Sequence, residues 1–362
     1  MNKENLINNL QSILETPTAP FHEYMVRQKI IDLLSGYKNV EVRSDVFGNL
    51  IVHVGPKNKT PKWVFGAHMD HPGYVKWPGD AEKNIEKFRE RGDYVFLGGV
   101  PEVYFKNEFP IKDYGDFAMW DLLPFKIDGD LVRSRACDDL IGCVAIITLI
   151  QMLSISSSTN SFGAIFTRAE EVGFVGAIEL AKSWPFEKGA SFVSIETSIP
   201  TGKSKIGKGP ICRVGDRLTV FDNNLTESIL FAGEQRNLTI QRELLNLGAC
   251  EASAMSIYGV PVAGISLPLG NYHNCGDLNA IEEEFVSFGD LETLINLMLS
   301  VVECFPDGPN EEIYKSKKLS DFEKREDKYR EIIGETSIHF KKNSASFRSS
   351  AVQNMKHKQT VV

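Results

Sequence analysis

The chain has 362 residues, 42% hydrophobic and 24% charged, enough to bury one large core or a domain carrying an insert. A net charge of -8, spread along the chain, excludes the basic surface of a nucleic-acid-binding protein. Six cysteines with no CxxC pair, an N-terminus without a signal-peptide core and a longest apolar run (142–153) too short for a bilayer predict a soluble cytoplasmic protein with reduced thiols and no membrane partner.

Helical spacing of apolar positions covers residues 5–15 and 22–35, split by Thr16-Pro17-Thr18-Ala19-Pro20. Strands are predicted at 40–43, 49–54 and 63–67. After His68 the texture changes: residues 71 to about 130 are rich in Gly, Pro, Asp and aromatic residues, with short alternating runs such as Tyr94-Val95-Phe96-Leu97, which predicts a small β-rich insert. From Asp138 strand and helix alternate. Helices are predicted at 140–153, 172–183, 226–235, 251–258 and 286–303, and strands at 162–167, 191–196, 237–242 and 262–267. This predicts an α/β fold, a mainly parallel or mixed sheet sandwiched by helices. The tail from about 306 is charged, with helix at 322–333 and a Ser-, Lys- and Asn-rich end expected to be poorly ordered. The domains are then 1–70 plus 135–305 as the catalytic α/β domain, 71–134 as the insert and possible oligomerisation domain, and 306–362 as the tail.

Five polar islands each follow an apolar run: His68-Met69-Asp70, Asp138-Asp139, Glu170-Glu171, Glu196 and His273. Open α/β sheets bind ligands beyond the C-terminal ends of their strands, where these islands are predicted. In His68-Met69-Asp70, residues two apart on an extended backbone share a side, so Asp70 can hold the ring nitrogen of His68 that faces away from a metal. Asp139 stands where a helix N-cap would be and Asp138 would face the site; capping alone explains the pair as well. Glu170 and Glu171 divide between base and ligand, or are two first-turn acids on a helix dipole. Each island has an ordinary structural reading, and only the set points to a cation. Two divalent ions bring four positive charges; Asp138, Glu171, Glu196 and a hydroxide balance them, with Glu170 left over as a base.

The same residues resemble the tetrahedral (glutamyl or deblocking) aminopeptidases, relatives of the co-catalytic zinc exopeptidases. The resemblance runs from the first helix to about residue 303. It rests on Thr18-Ala19-Pro20 with His22-Glu23, Asp45-Val46-Phe47-Gly48-Asn49, Gly66-Ala67-His68-Met69-Asp70, Asp138-Asp139 with Gly142, Phe166-Thr167 leading to Glu170-Glu171-Val172-Gly173, and Gly207-Lys208-Gly209-Pro210. It implies that His68 and Glu196 hold one metal and Glu171 and His273 the other. Asp138 would bridge them, Glu170 would be the general base and Asp70 would orient His68. It also implies a cis peptide bond after Asp138, and attack by a water bridged by the two metals on the first peptide bond of a peptide. The metals would be zinc, with cobalt or manganese as alternatives. An insert of this kind implies a homo-oligomer. The chain departs from the family pattern at Glu196, where Asp is usual, at Leu140, at Gly248-Ala249-Cys250-Glu251 and after His273, and its insert is shorter than typical.

The sequence therefore predicts a dinuclear metallo-aminopeptidase acting on a peptide or small amide. The alternative is a two-metal amidohydrolase acting on N-acyl amino acids, for which Arg213 and Arg217 are candidate carboxylate binders, although each reads more simply as a surface salt-bridge residue. A non-catalytic scaffold that keeps metal for stability is the rival from another class.

Overall fold

A computed structural model describes residues 2–76, 86–155 and 159–336. The chain falls into two units, residues 1–309 and 310–362.

The first unit opens with helices α1 (Lys3–Leu14) and α2 (Tyr24–Leu34). Strands β1 (Val40–Ser44), β2 (Leu50–Val54) and β3 (Trp63–His68) follow, then β4 (Gly73–Lys76), β5 (Glu90–Arg91), β6 (Tyr94–Leu97), β7 (Ile111–Asp113), β8 (Phe117–Trp120), β9 (Lys126–Asp128) and β10 (Leu131–Ser134). Next come α3 (Leu140–Ile155), β11 (Phe162–Thr167), α4 (Val175–Lys182), β12 (Ser191–Ser198), β13 (Ile211–Asp216), α5 (Asn223–Gln235), β14 (Gln241–Leu245) and α6 (Glu251–Ile257). β15 (Val262–Pro268), β16 (Glu284–Ser287) and α7 (Phe288–Cys304) complete the unit.

Eight strands form the main sheet in the order β1-β2-β11-β3-β12-β15-β13-β14. Its centre, β11, β3, β12 and β15, is parallel, while β1, β2 and β13 introduce antiparallel pairs. The alternation of the strands decides which residues go to which face. In β3, Trp63, Phe65 and Ala67 join the core under α1, α2, α3, α5 and α7, whereas Val64 joins Phe192, Leu180 and Met255 under α4 and α6. Helix α3 is apolar on all sides because nearly every residue from Leu140 to Leu153 is buried. The predicted α/β sandwich is thus the observed fold.

The small strands build a second sheet, β5-β6-β4-β8-β7. One face carries an aromatic core of Tyr74, Phe96 and Trp120, with ring centroids 4.8 to 6.3 Å apart. Val75, Phe117 and Met119 point the other way and belong to the main core. A third sheet, β16-β10-β9, pairs Ser134 with Glu284 across 150 residues of sequence.

Several segments differ from the sequence reading, among them the unpredicted β16, which takes the first two residues of the helix expected from 286. The helix expected from 172 begins at Val175, because Gly173 (φ +107) and Phe174 (φ +61) are left-handed and cannot belong to a helix. Strand β13 went unpredicted; it follows the Gly207-Lys208-Gly209-Pro210 turn, and its Arg213 and Asp216 broke the apolar pattern. The strand expected at 237–242 is β14 at 241–245, delayed by a turn at Asn237 (φ +53).

The second unit contains α8 (Glu311–Thr336), longer than the helix expected at 322–333. Its surface carries i,i+4 pairs such as Glu311–Lys315 and Glu326–Arg330. The Ser-, Lys- and Asn-rich end lies outside the described residues. Among the described residues no helix is long and apolar enough to cross a membrane, and all six cysteines are free thiols.

Candidate metal centre

The parallel strands end side by side, and four of the five islands stand on their C-terminal edge. His68 closes β3, Glu170 and Glu171 follow β11, Glu196 lies near the end of β12 and His273 follows β15. Asp138 arrives from β10 and sits just before α3. There Asp139 Oδ1 accepts the Gly142 N–H at 3.2 Å, the predicted N-cap. A side chain at Gly142 would collide with that carboxylate, which explains the glycine in the first turn. The Asp138-Asp139 bond is cis.

The structure brings all seven predicted residues together. His68 Nε2 lies 3.3 Å from Asp138 Oδ1 and 3.9 Å from Glu196 Oε2. His273 Nε2 lies 3.6 Å from Asp138 Oδ2 and 3.1 Å from Glu171 Oε1. The two Asp138 oxygens therefore face different imidazoles. Nitrogen and oxygen ligands about 2.0–2.2 Å from a tetrahedral cation stand about 3.3–3.6 Å apart, so these spacings fit donors around a shared ion. Donor atoms of His68, Asp138 and Glu171 lie within 4.8 Å of one another. Those of His68, Asp139 and Glu196 do so too, which adds Asp139 to the neighbourhood. Asp138 Oδ1, Asp139 Oδ2 and His273 Nε2 are buried without a hydrogen-bond partner among the described residues. Buried polar atoms are nearly always paired, so this donor set fits a cation as its missing partner.

Asp70 does more than expected. Its two oxygens accept the backbone N–H groups of Glu170 (3.0 Å) and Glu171 (3.1 Å), which fixes the turn carrying both acids. His68 Nδ1 meets the Asp70 backbone carbonyl at 3.1 Å and the carboxylate at 3.5 Å. Glu23 Oε1 accepts the Ala169 N–H, and its Oε2 is paired with Arg168 at 2.6 Å. Glu170 and Glu171 thus lie in a tied turn before α4, which removes their reading as first-turn acids on a helix dipole.

Electrostatics carry the same message. Burial pushes Glu170 well above the ordinary carboxylate range, and Glu196, Glu171 and Glu251 push it further, against His68. Burial raises Glu196 to about 7 and Glu251 to about 8. Burial opposes a charge on His273, yet Glu171 and Asp138 lift it to about 9. Glu170, Glu196 and Glu251 hold their protons, and His68 and His273 gain theirs, because the cluster carries excess negative charge in a dry place.

A cleft of about 290 Å³ opens over these residues, walled by Phe174, Ile199, Thr201, Arg213, Leu247 and Tyr272. A larger groove of about 670 Å³ between Glu41, His53 and Pro185 contains none of them. Arg213 corrects the surface reading. It is 3% exposed, its Nε has no partner among the described residues, and Nη1 reaches Ser266 Oγ at only 3.4 Å. Arg217 is exposed.

Three residues of this neighbourhood escaped the sequence reading. His71 Nδ1 donates to the Asp138 carbonyl at 2.6 Å. Asn274 Oδ1 lies 3.1 Å from His71 Nε2. Glu284 Oε2 accepts the Asp138 N–H, and its Oε1 accepts the His273 N–H. Glu284 ends an acidic triplet, Glu282-Glu283-Glu284, which reads as solvated surface; no local signal marks its last member as buried.

An open mixed sheet, parallel at its centre and carrying this set of side chains on its C-terminal edge, defines an α/β protein with a zinc-exopeptidase-like fold. The profile of the M42 glutamyl aminopeptidase family matches residues 108–288, half of the chain. The chain belongs to that family of peptidases. A curated relative from Acetivibrio thermocellus, provisionally named an aminopeptidase, is 25% identical over 342 residues, covering 83% of this chain and all of the relative. The TET1 peptidase of Pyrococcus horikoshii, titled as assembling into a tetrahedron or a large octahedral shell, matches with a TM-score of 0.66 at 22% identity, over 82% of this chain and 99% of its own. An aminopeptidase from the archaeon Desulfurococcus kamchatkensis matches with a TM-score of 0.66 at 18% identity, over 83% and 95%.

Proposed function

We propose that the protein is a dinuclear metallo-aminopeptidase that removes N-terminal residues from peptides. The observation that carries this reading is the pair of Asp138 oxygens turned toward two imidazoles, each imidazole with its own acid, Glu196 or Glu171. His68 and Glu196 would hold one divalent cation, Glu171 and His273 the other, with Asp138 between them. Mixed nitrogen and oxygen donors accept zinc, cobalt or manganese. When bound, such ions polarise a peptide carbonyl and acidify water. The chain's own residues do the rest. Glu170 would take a proton from the attacking water and return it to the leaving amine, the task of a carboxylate placed beside the cluster without a ligand's part in it. Asp70 keeps Glu170 and Glu171 in place through their amides and steadies His68. The acid-rich floor attracts a free α-amino group, which favours cutting from the N-terminus.

Arg213 supports an acidic group on the substrate, since a buried cation with a spare donor in the cleft wall matches a carboxylate. That group is the side chain of an N-terminal Glu or Asp; an N-acyl amino acid, whose free carboxylate would fill the same role, is the second reading. The β4–β8 sheet is proposed as the contact region of a homo-oligomer, in line with the assemblies of the matched TET1 peptidase.

Glu170→Gln tests the chemistry. Hydrolysis should fall by roughly 10²–10⁴-fold with bound metal unchanged; unchanged hydrolysis removes Glu170 from its role. A panel of aminoacyl-p-nitroanilides and N-acyl amino acids, each assayed with zinc, cobalt and manganese, separates the two substrate readings.

A further inference from the structure

Asp138 and His273 come from segments 135 residues apart, yet one side chain grips both. Glu284 is fully buried in β16, and its carboxylate is spent on two backbone amides: His273 N–H at 2.8 Å and Asp138 N–H at 3.0 Å. Burying a carboxylate is costly, and among the described residues no Lys or Arg pairs with this one. Beside it lies the His71 imidazole, 4.0 Å away, which holds the opposite end of the same Asp138 residue through the carbonyl. Asp138 is therefore fixed at its N–H by Glu284 and at its C=O by His71. His273 is left-handed (φ +54), a conformation that a non-glycine residue keeps only when its surroundings enforce it. The pairing of β10 with β16 sets Glu284 opposite Ser134, four residues before Asp138.

We propose that Glu284 is a positioning residue that fixes the separation of Asp138 and His273 and thereby builds the cation position served by His273. The inference rests on the dinuclear reading above. The carboxylate is required because both partners are donors: an amide at this place offers one acceptor and turns its NH₂ toward the second N–H. The position served by His68 and Glu196 owes nothing to the Glu284–His273 bond and should be less affected.

The test uses the full chain stripped with a chelator and titrated with Co²⁺ alone, following visible absorption and bound metal, with thermal unfolding in parallel. Wild type should take two cations. His273→Ala should take one at any concentration. Glu284→Gln should bind the first with a smaller loss and the second with affinity weakened on the order of 10–100-fold. Its kcat should be low at limiting cobalt and recover at saturating cobalt, with KM unchanged. Glu284→Asp, which keeps the charge but is too short to reach both amides, should show the same selective loss and serves if the Gln variant does not fold. A variant with a lowered melting temperature but wild-type affinity for the second cobalt overturns the proposal, leaving Glu284 a structural acid. Wild type taking fewer than two cations overturns the dinuclear reading and this inference together. Wild type that takes two cations but cuts no aminoacyl substrate overturns the aminopeptidase reading alone, because the cobalt titration still judges Glu284.

Discussion

Two clusters of buried acid in this molecule solve the same problem in opposite ways. At the end of β13, Asp216 accepts from the Leu218, Thr219 and Cys250 amides and from the Ser253 hydroxyl, at 2.7 to 3.1 Å. Every demand of that carboxylate is met by its neighbours. At the sheet edge, Asp138, Asp139 and His273 keep buried atoms that make no hydrogen bond among the described residues and face the other acids and imidazoles of the cluster. An acid closed by its own neighbours is architecture; a group of acids and imidazoles left open toward one another is built around something that arrives later. Burial alone does not separate the two, since both are shielded from water.

The largest break in this comparison is Asp138→Ala. Removing the group proposed to be shared by two cation positions should lower kcat/KM on the order of 10²–10³-fold or more and reduce bound metal, read by elemental analysis and steady-state kinetics.

Chelation asks the same question of stability. Each cation present at a hundred times its Kd stabilises the fold by about 2.7 kcal/mol, which stripping should remove. The stripped protein should also become pH-sensitive. Glu196 and Glu251 lie at about 7 and about 8 when folded, against an ordinary 4.5, so the folded form retains protons that the unfolded chain has released. Stability then declines as pH rises from about 4.5 toward 8. His273, at about 9 against 6.5, adds stability below 6.5 that fades toward pH 9, a slope of the same sign. Melting temperatures measured from about pH 5 to about pH 9 should fall more steeply without metal than with it; parallel curves would contradict the cluster's charge state.

Arg213→Gln sharpens the contrast within the cleft. Turnover of substrates with an acidic group should weaken by roughly 10- to 100-fold, the worth of one charged hydrogen bond, while neutral aminoacyl substrates change little. Equal losses on both would deny Arg213 a part in selection. The smallest effect belongs to the closed cluster. Ser253→Ala should cost about 1 kcal/mol of stability in a denaturant titration, with bound metal and kcat as in wild type.

Much of the fold was legible because it depends on period. The apolar runs at 63–67, 162–167, 191–196 and 262–267 and the helix from Leu140 announce buried strands and a buried helix by composition alone. The candidate centre was legible because its residues follow those runs, and the edge of a parallel sheet gathers whatever follows its strands. Strand β13 was hidden by Arg213 and Asp216, polar residues in a buried strand. The start of α4 was hidden by the left-handed turn at Gly173 and Phe174. Glu284 escaped notice and Arg213 read as a surface charge because nothing adjacent in sequence reports what packs over them.

The amino-acid order by itself determined which residue types stand at each strand end, the alternation that makes the sheet and the family pattern these follow. Only the tertiary structure decided that the two oxygens of Asp138 part toward His68 and His273, that Glu284 ties Asp138 to His273, and that Arg213 turns into the cleft. The physical reason is range. Backbone propensity and apolar period act over a few residues, whereas the pairing of a buried charge depends on segments that meet only after the chain has folded.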